Sequence, residues 1–221
     1  MYRFDLAVIA KYLGGLGPAV AMTLTLTLIT LILSTMLGVL LALARTSRSQ
    51  LLRFLAGAYT EVLRNVPLIV VVFFVYFGLS QLGVRLSGRS SVLVALVANA
   101  TAYMTEVIRG GLLSIPRGQV EAAAAQGMRY HQVQRYVVLP QVLRNVFAAY
   151  GNICVGILLG TSLAAVIGVH DLSYWMLDTG AASFRYMETF LVAAAVYFVL
   201  VQAVTFARVL AGRWLFGRRP A

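Results

Sequence analysis

The apolar positions of this chain gather into five long runs, at about 18–44, 66–82, 91–113, 146–169 and 187–212. Each is close to or beyond the roughly 20 helical residues that cross a hydrocarbon core about 30 Å thick. The pattern predicts five transmembrane helices and an all-α integral membrane protein. The first run contains MTLTLTLIT, residues 22–30, whose alternation has the period of a strand. Length overrides that signal, because a threonine hydroxyl in a membrane helix can bond the carbonyl one turn back. Pro67 falls in the first turn of the second run, where its missing N–H costs nothing. No internal repeat or low-complexity tract interrupts the series, so 1–221 reads as a single domain.

Composition agrees. The chain is 61% hydrophobic and 11% charged, with mean hydropathy +0.87, whereas soluble domains are about 45–50% apolar and about 25% charged. Ala42-Leu43-Ala44 resembles a signal-peptide cleavage site. The apolar run before it is about 24 residues against about 7–15 for a signal peptide, so the expectation is an uncleaved membrane helix. The single Cys154 lies inside an apolar run and reads as a small buried hydrophobe.

Charge sets an orientation. With the N-terminus outside, Arg45, Arg48, Arg53, Arg64, Arg109, Arg117, Arg129, Arg135, Arg144, Arg208, Arg213, Arg218 and Arg219 fall on the inner side. Arg3, Lys11, Arg85, Arg89 and Arg185 fall on the outer side. Thirteen against five predicts N-out and C-in. No basic run lies on a soluble face, which excludes nucleic acid as a partner. The outer connection at about 170–186 has room for a short surface helix, with Tyr174 and Trp175 suited to the membrane interface.

The inner connection at about 114–140 is longer than a linker needs to be. Ser114 can cap a helix and Pro116 fits its first turn. The run Arg117–Gln126 favours helix, and Gly127 can take the left-handed conformation that ends it. A second helix at about 129–138 carries Tyr130, Val133 and Val137 on one apolar face, and Pro140 ends it. The result is a cytoplasmic helix-turn-helix between the third and fourth spans. Ala122–Ala125 make its first helix slim enough to lie in a groove of another protein. A plain surface helix between spans accounts for the same alanines.

Candidate pathway residues are the polar and small ones within the runs, since polar groups there face an interior or a cavity. Asn99 is near mid-depth of the third run, and Gly160, Thr161 and Ser162 follow Gly156 in the fourth. Those glycines either let the helix loosen or serve close helix packing. Glu106 and Arg109 are three apart, as an ion pair or as a gate near the inner mouth. Tyr76 and Tyr103 line a path or pack as aromatics. His131 and His170, the only histidines, lack ligand-spaced company, so no metal, cofactor or catalytic group is expected. A nucleotide-binding loop needs G-x-x-x-x-G-K-[ST], and the only lysine, Lys11, follows Ala10.

Glu121-Ala122-Ala123, three residues, Gly127, nine residues, then Val137-Val138-Leu139-Pro140 resembles the EAA loop of bacterial ATP-binding-cassette importer permeases. Only the isoleucine of that pattern departs, to Val137. Arg64–Leu68, Phe73–Leu79 and Ala102–Gly111 look like the second and third helices of the polar amino acid subfamily, and the resemblance covers nearly the whole chain. The resemblance implies a non-catalytic permease subunit in the bacterial inner (plasma) membrane. Its implied partners are a second permease, identical or related, two cytoplasmic ATPase subunits docked at Glu121, Ala122, Ala123, Gly127, Leu139 and Pro140, and a substrate-binding protein, periplasmic or lipid-anchored. The implied cargo is a polar amino acid. Met1–Asp5 is similar to acidic amino acid permeases, so glutamate or aspartate is the first expectation. Many such permeases carry Lys-Asp before Thr-Ser-Leu in the fourth helix. Here Leu159-Gly160 precede Thr161-Ser162-Leu163, which removes any contact that pair makes to substrate. The alternative class is an ion-gradient-driven transporter or channel, which would want mid-depth ionisable residues and repeat symmetry.

Overall fold

The structure, a computed structural model, describes residues 4–217, and no strand occurs among them. Arg3, Arg218 and Arg219 of the charge bias, and the match at residues 1–3, lie outside the described residues. The helices are α1 (Leu6–Thr46), α2 (Gln50–Asn65), α3 (Leu68–Gln81), α4 (Gly88–Leu113), α5 (Arg117–Ala125), α6 (Tyr130–Ile167), α7 (Leu172–Ser183) and α8 (Tyr186–Phe216).

Four of these, α1, α4, α6 and α8, are individually long and apolar enough to cross a membrane. The second apolar run is shorter than expected. As α3 it is about 21 Å long at 1.5 Å per residue, below a core of about 30 Å. It meets α2 at a bend of 108°, and the two form a fifth span only if the bent pair counts as one. The bend sits at Val66-Pro67, both extended (ψ 129° and 136°), because a residue before proline avoids the helical region. Pro67 therefore precedes α3 rather than lying in its first turn. The runs of apolar residues do not reveal α2, since Arg53, Glu61 and Arg64 dilute it. Its order lies in amphipathicity: Ala56 and Thr60 are buried while Leu51, Leu55 and Val62 face outward.

The alternating stretch is helical, and its threonines act as expected: Thr25 donates to the Ala21 carbonyl and Thr27 to that of Thr23, both at 2.7 Å. α1 packs along α4 with Gly38 in close contact, where a Cβ would come within 2.6 Å of Met104 Cβ. Leu26, Val72, Val92, Leu96 and Ala164 build the core between α1, α3, α4 and α6.

Three local expectations are corrected. Pro140 does not end a helix, because α6 runs unbroken through it. The preceding Val133–Val138 adopts the wider π geometry, and the α geometry resumes at Leu139 with Pro140 in its first turn, where no amide N–H is required. Ser114 does not cap α5; its hydroxyl donates to the Gly111 carbonyl and accepts from Asn145. Trp175 is not an interface anchor. It lies on α7, 7% exposed, packed with Ile9, Ala19 and Leu172, and its indole N–H donates to the Tyr12 carbonyl at 3.1 Å. The N-terminal turns of α1, in 3-10 geometry over Leu6–Gly15, supply that seat.

Candidate functional site

Helices α3, α4 and α6 border a half-open cavity of about 330 Å³. Leu68, Leu96, Asn99, Ala100 and Tyr103 line one side, and Asn152, Ile153, Gly156 and Ile157 the other. Two expected residues, Asn99 and Tyr103, are thus on its wall. Both also hold the end of α2. Asn99 Nδ2 donates to the Leu63 carbonyl at 2.8 Å, and the Tyr103 hydroxyl reaches the Arg64 carbonyl at 3.4 Å. These are carbonyls that a helix terminus leaves without intrahelical partners. Asn152 was not singled out from sequence. Its signal is the same as that of Asn99, a polar side chain within an apolar run, four residues before Gly156 on one helical face.

The other candidates in the fourth run stand apart from the lining. At Thr161 the backbone tightens from α to 3-10 geometry rather than loosening. Thr161 is fully buried and donates to the Leu158 carbonyl at 2.8 Å, while Ser162 is half-buried. Gly160 backs onto the cavity wall, where a Cβ would sit 3.3 Å from Leu68 and 3.5 Å from Leu96. Tyr76 lies in the π-shaped part of α3, edge-on to Phe77 at 4.8 Å, and outside the lining.

Towards the Leu113 end of α4, Glu106 gathers more than its expected partner. Arg109 pairs with it at 2.6 Å, Arg45 of α1 at 3.2 Å and Arg64 of α2 at 3.9 Å. One carboxylate therefore ties three helices together.

Beyond this end lies the segment with the alanine-rich helix. Ala123 is buried against Val133, Val138 and Val142, with Leu112, Ile115, Val120 and Val146 around them. Glu121, Ala122, Ala124 and Ala125 stay exposed, so α5 offers a narrow, nearly smooth outer face. Gly127 has φ 80°, the left-handed value that ends α5. Gln141 donates to Gln119 at 2.6 Å and braces α5 against α6. Leu139 and Pro140 are exposed on α6. Tyr130, expected on the apolar face, is instead 80% exposed; Val133, Val137 and Val138 supply that face. The π-shaped turns hold more residues per turn and so rotate each residue less than an α-helix does, which changes the face that points inward and leaves Val138 buried.

Residues 34–215 match the binding-protein-dependent transport system inner membrane component. The chain belongs to this family. It is 35% identical over 187 residues, 84% of this chain and 85% of the relative, to the arginine transport system permease protein ArtQ of Bacillus subtilis (strain 168). It is 34% identical over 221 residues, covering 96% and 92%, to the nopaline transport system permease protein NocM of Agrobacterium fabrum (strain C58 / ATCC 33970). A solved amino acid ABC transporter with histidines superposes at TM-score 0.89 with 31% identity, covering 96% of this chain and 99% of that one. The MetNI methionine ABC transporter, at 22% identity and TM-score 0.69 over 88% and 91%, shares the fold.

The chain is thus an inner-membrane component of a binding-protein-dependent transport system, a multi-pass protein similar to permeases of amino acid ABC transporters. Such permeases are non-catalytic, and ATP is hydrolysed on a separate subunit. Among the described residues no group of three or more His, Cys, Asp or Glu is placed to hold a metal ion. Cys154 is buried, and His170 stacks on Tyr174 at 4.1 Å.

Proposed function

We propose that this permease is half of a translocation pathway, with five spans oriented N-out and C-in and the 114–140 segment as its cytoplasmic coupling element. The orientation rests on the arginine bias, and Arg45, Arg64 and Arg109 meeting at the same end as α5 supports it. A second permease, identical or related, completes the pathway. Two ATPase subunits dock on Glu121, Ala122, Ala123, Gly127, Leu139 and Pro140, and a substrate-binding protein delivers cargo outside. ATP binding draws the docked helices together and opens the cavity outward; hydrolysis resets it.

The observation that carries this reading is α5 itself: an exposed face of small side chains on a helix whose other face is locked to the membrane helices by Ala123. Only a rigid attachment transmits a push. Glu121→Arg and Gly127→Trp, reconstituted in vesicles with ATPase and binding protein, are expected to insert normally yet lose ATPase association and uptake. Full uptake by both variants would defeat the docking role.

The cargo proposed is a polar amino acid with an acidic one favoured, crossing beside Asn99, Tyr103 and Asn152. The acidic preference rests on the similarity of Met1–Asp5 to acidic amino acid permeases, and not on the arginine excess, which lies mostly in the inner loops. Competition of unlabelled glutamate, aspartate, glutamine and arginine for binding-protein-dependent uptake tests the preference. Uptake driven by an ion gradient through this chain alone would favour the alternative class. The engagement of Glu106 by three arginines counts against its use as an ion-carrying carboxylate.

A further inference from the structure

Around Glu106 the charges do not balance. Arg45, Arg64 and Arg109 come from three helices, and the one carboxylate neutralises one of them. Uncompensated cations beside a membrane interior are costly. The shortage of acceptors is visible in Arg45 Nε, which is buried with no hydrogen-bond partner.

The three cations differ in how firmly they are held. Arg109 closes on both Glu106 oxygens through Nε and Nη2. Arg45 reaches the carboxylate at 3.2 Å through space left by Gly57, where a Cβ would collide with its guanidinium. Arg64 is 3.9 Å away, too far for a hydrogen bond. Its side chain is also the most exposed of the three, at 38%. Its guanidinium carbon lies 5.7 Å from the centre of the Tyr103 ring, and Tyr103 lines the cavity. The lining itself carries no charged side chain among the described residues. Two guanidiniums abut this wall from outside: Arg208, which already donates to the Ala148 carbonyl and to Asn152 Oδ1, and the loosely held Arg64 beside Tyr103.

We propose that Arg64 receives the carboxylate of the amino acid moving through the cavity, while Glu106 stays paired with Arg109 and Arg45. This rests on the reading that the cavity lies on the cargo's path. A planar guanidinium fork matches a planar carboxylate in two parallel hydrogen bonds. Every free amino acid carries an α-carboxylate, so the assignment does not depend on the side chain carried. Glu106 acts here as a positioning residue, keeping Arg64 near the rim without fully satisfying it.

The test uses the permease–ATPase complex in lipid nanodiscs, without binding protein, and labelled glutamate, glutamine and arginine. The α-decarboxylated counterparts of glutamine and arginine, 4-aminobutanamide and agmatine, which carry no carboxylate, are measured in parallel. Arg64→Gln is expected to weaken binding of the intact amino acid about tenfold or more, and Arg64→Lys less. The decarboxylated compound is expected to bind Arg64→Gln and the parent complex alike, which also certifies the fold of the variant. Equal losses for intact and decarboxylated ligands would assign Arg64 a purely structural role and overturn the proposal. So would unchanged binding by Arg64→Gln, or no binding of any of the three to a parent complex that transports them. A parent complex that, given ATP and its binding protein, takes up none of the three would instead overturn the reading of the cavity, and the proposal with it.

Discussion

Asn99 and Leu63 are joined across two helices: the amide of Asn99 donates to the Leu63 carbonyl at 2.8 Å. The bond lands one turn before the 108° bend between α2 and α3. A residue chosen from sequence as a pathway group therefore also fixes the elbow that shapes the cavity. Asn99→Leu is expected to leave that carbonyl unsatisfied and cost about 1–3 kcal/mol. Thermal unfolding of the nanodisc-embedded complex reads the loss. An unchanged midpoint would mean that the elbow holds without this bond.

Removing the Glu106 charge should hurt more than removing one of its arginines. Glu106→Gln leaves Arg45, Arg64 and Arg109 facing one another without an acid. These side chains are 16–38% exposed, so water screens part of the repulsion. The expected destabilisation is about 1–3 kcal/mol. Adding Arg109→Leu to Glu106→Gln should recover part of it. A double variant less stable than Glu106→Gln would contradict the charge argument.

At Gly38, α1 lies directly against the backbone of α4. A Cβ there would lie 2.6 Å from Met104 Cβ and 3.3 Å from the Thr105 nitrogen, neither of which can swing away. Gly38→Ala is expected to force the helices apart at a cost of about 1–3 kcal/mol, and Gly38→Leu to prevent assembly. Size-exclusion profiles and unfolding midpoints decide; a normal Gly38→Leu complex would refute the packing described here.

Asp171 is fully buried at the start of α7, where its carboxylate accepts from the Tyr174 N–H at 2.9 Å. Burial pushes its carboxyl from 3.8 up to about 6, against the opposing pull of its hydrogen bonds from Tyr174, Ser173 and Tyr197. The unfolded chain thus ionises this group first as pH rises, and the native state holds the extra proton. Stability falls as pH climbs between these two values, and the full deficit is present above about 6. Its size is on the order of 3 kcal/mol. Asp171→Asn keeps a capping side chain and should remove this slope. Unfolding midpoints of the two proteins from about pH 4.5 to 7.5 measure it. Parallel profiles would show that the carboxyl ionises as freely in the native state as in the unfolded chain.

What the sequence determined by itself was what depends on nearby residues. Apolar runs long enough for a bilayer became α1, α4, α6 and α8, and Gly127 took the left-handed backbone at the end of an alanine-rich helix. Spacing alone matched Glu121 to Pro140 with a family pattern. Helical period and length are local properties, and they survive packing. The tertiary structure decided whatever depends on which helix lies beside which. Ser114 could have capped α5, but Asn145 on α6 drew its hydroxyl away. Pro140 looked like a helix end until the π-shaped turns before it carried α6 through. Trp175 had the chemistry of an interface residue, yet the first turns of α1 covered it. Arg45 and Arg64 stand 61 and 42 positions from Glu106 along the chain, and no periodicity could bring them there. Long-range ion pairs and cavities come from the way helices cross, and that crossing is a property of the assembled bundle rather than of any one stretch.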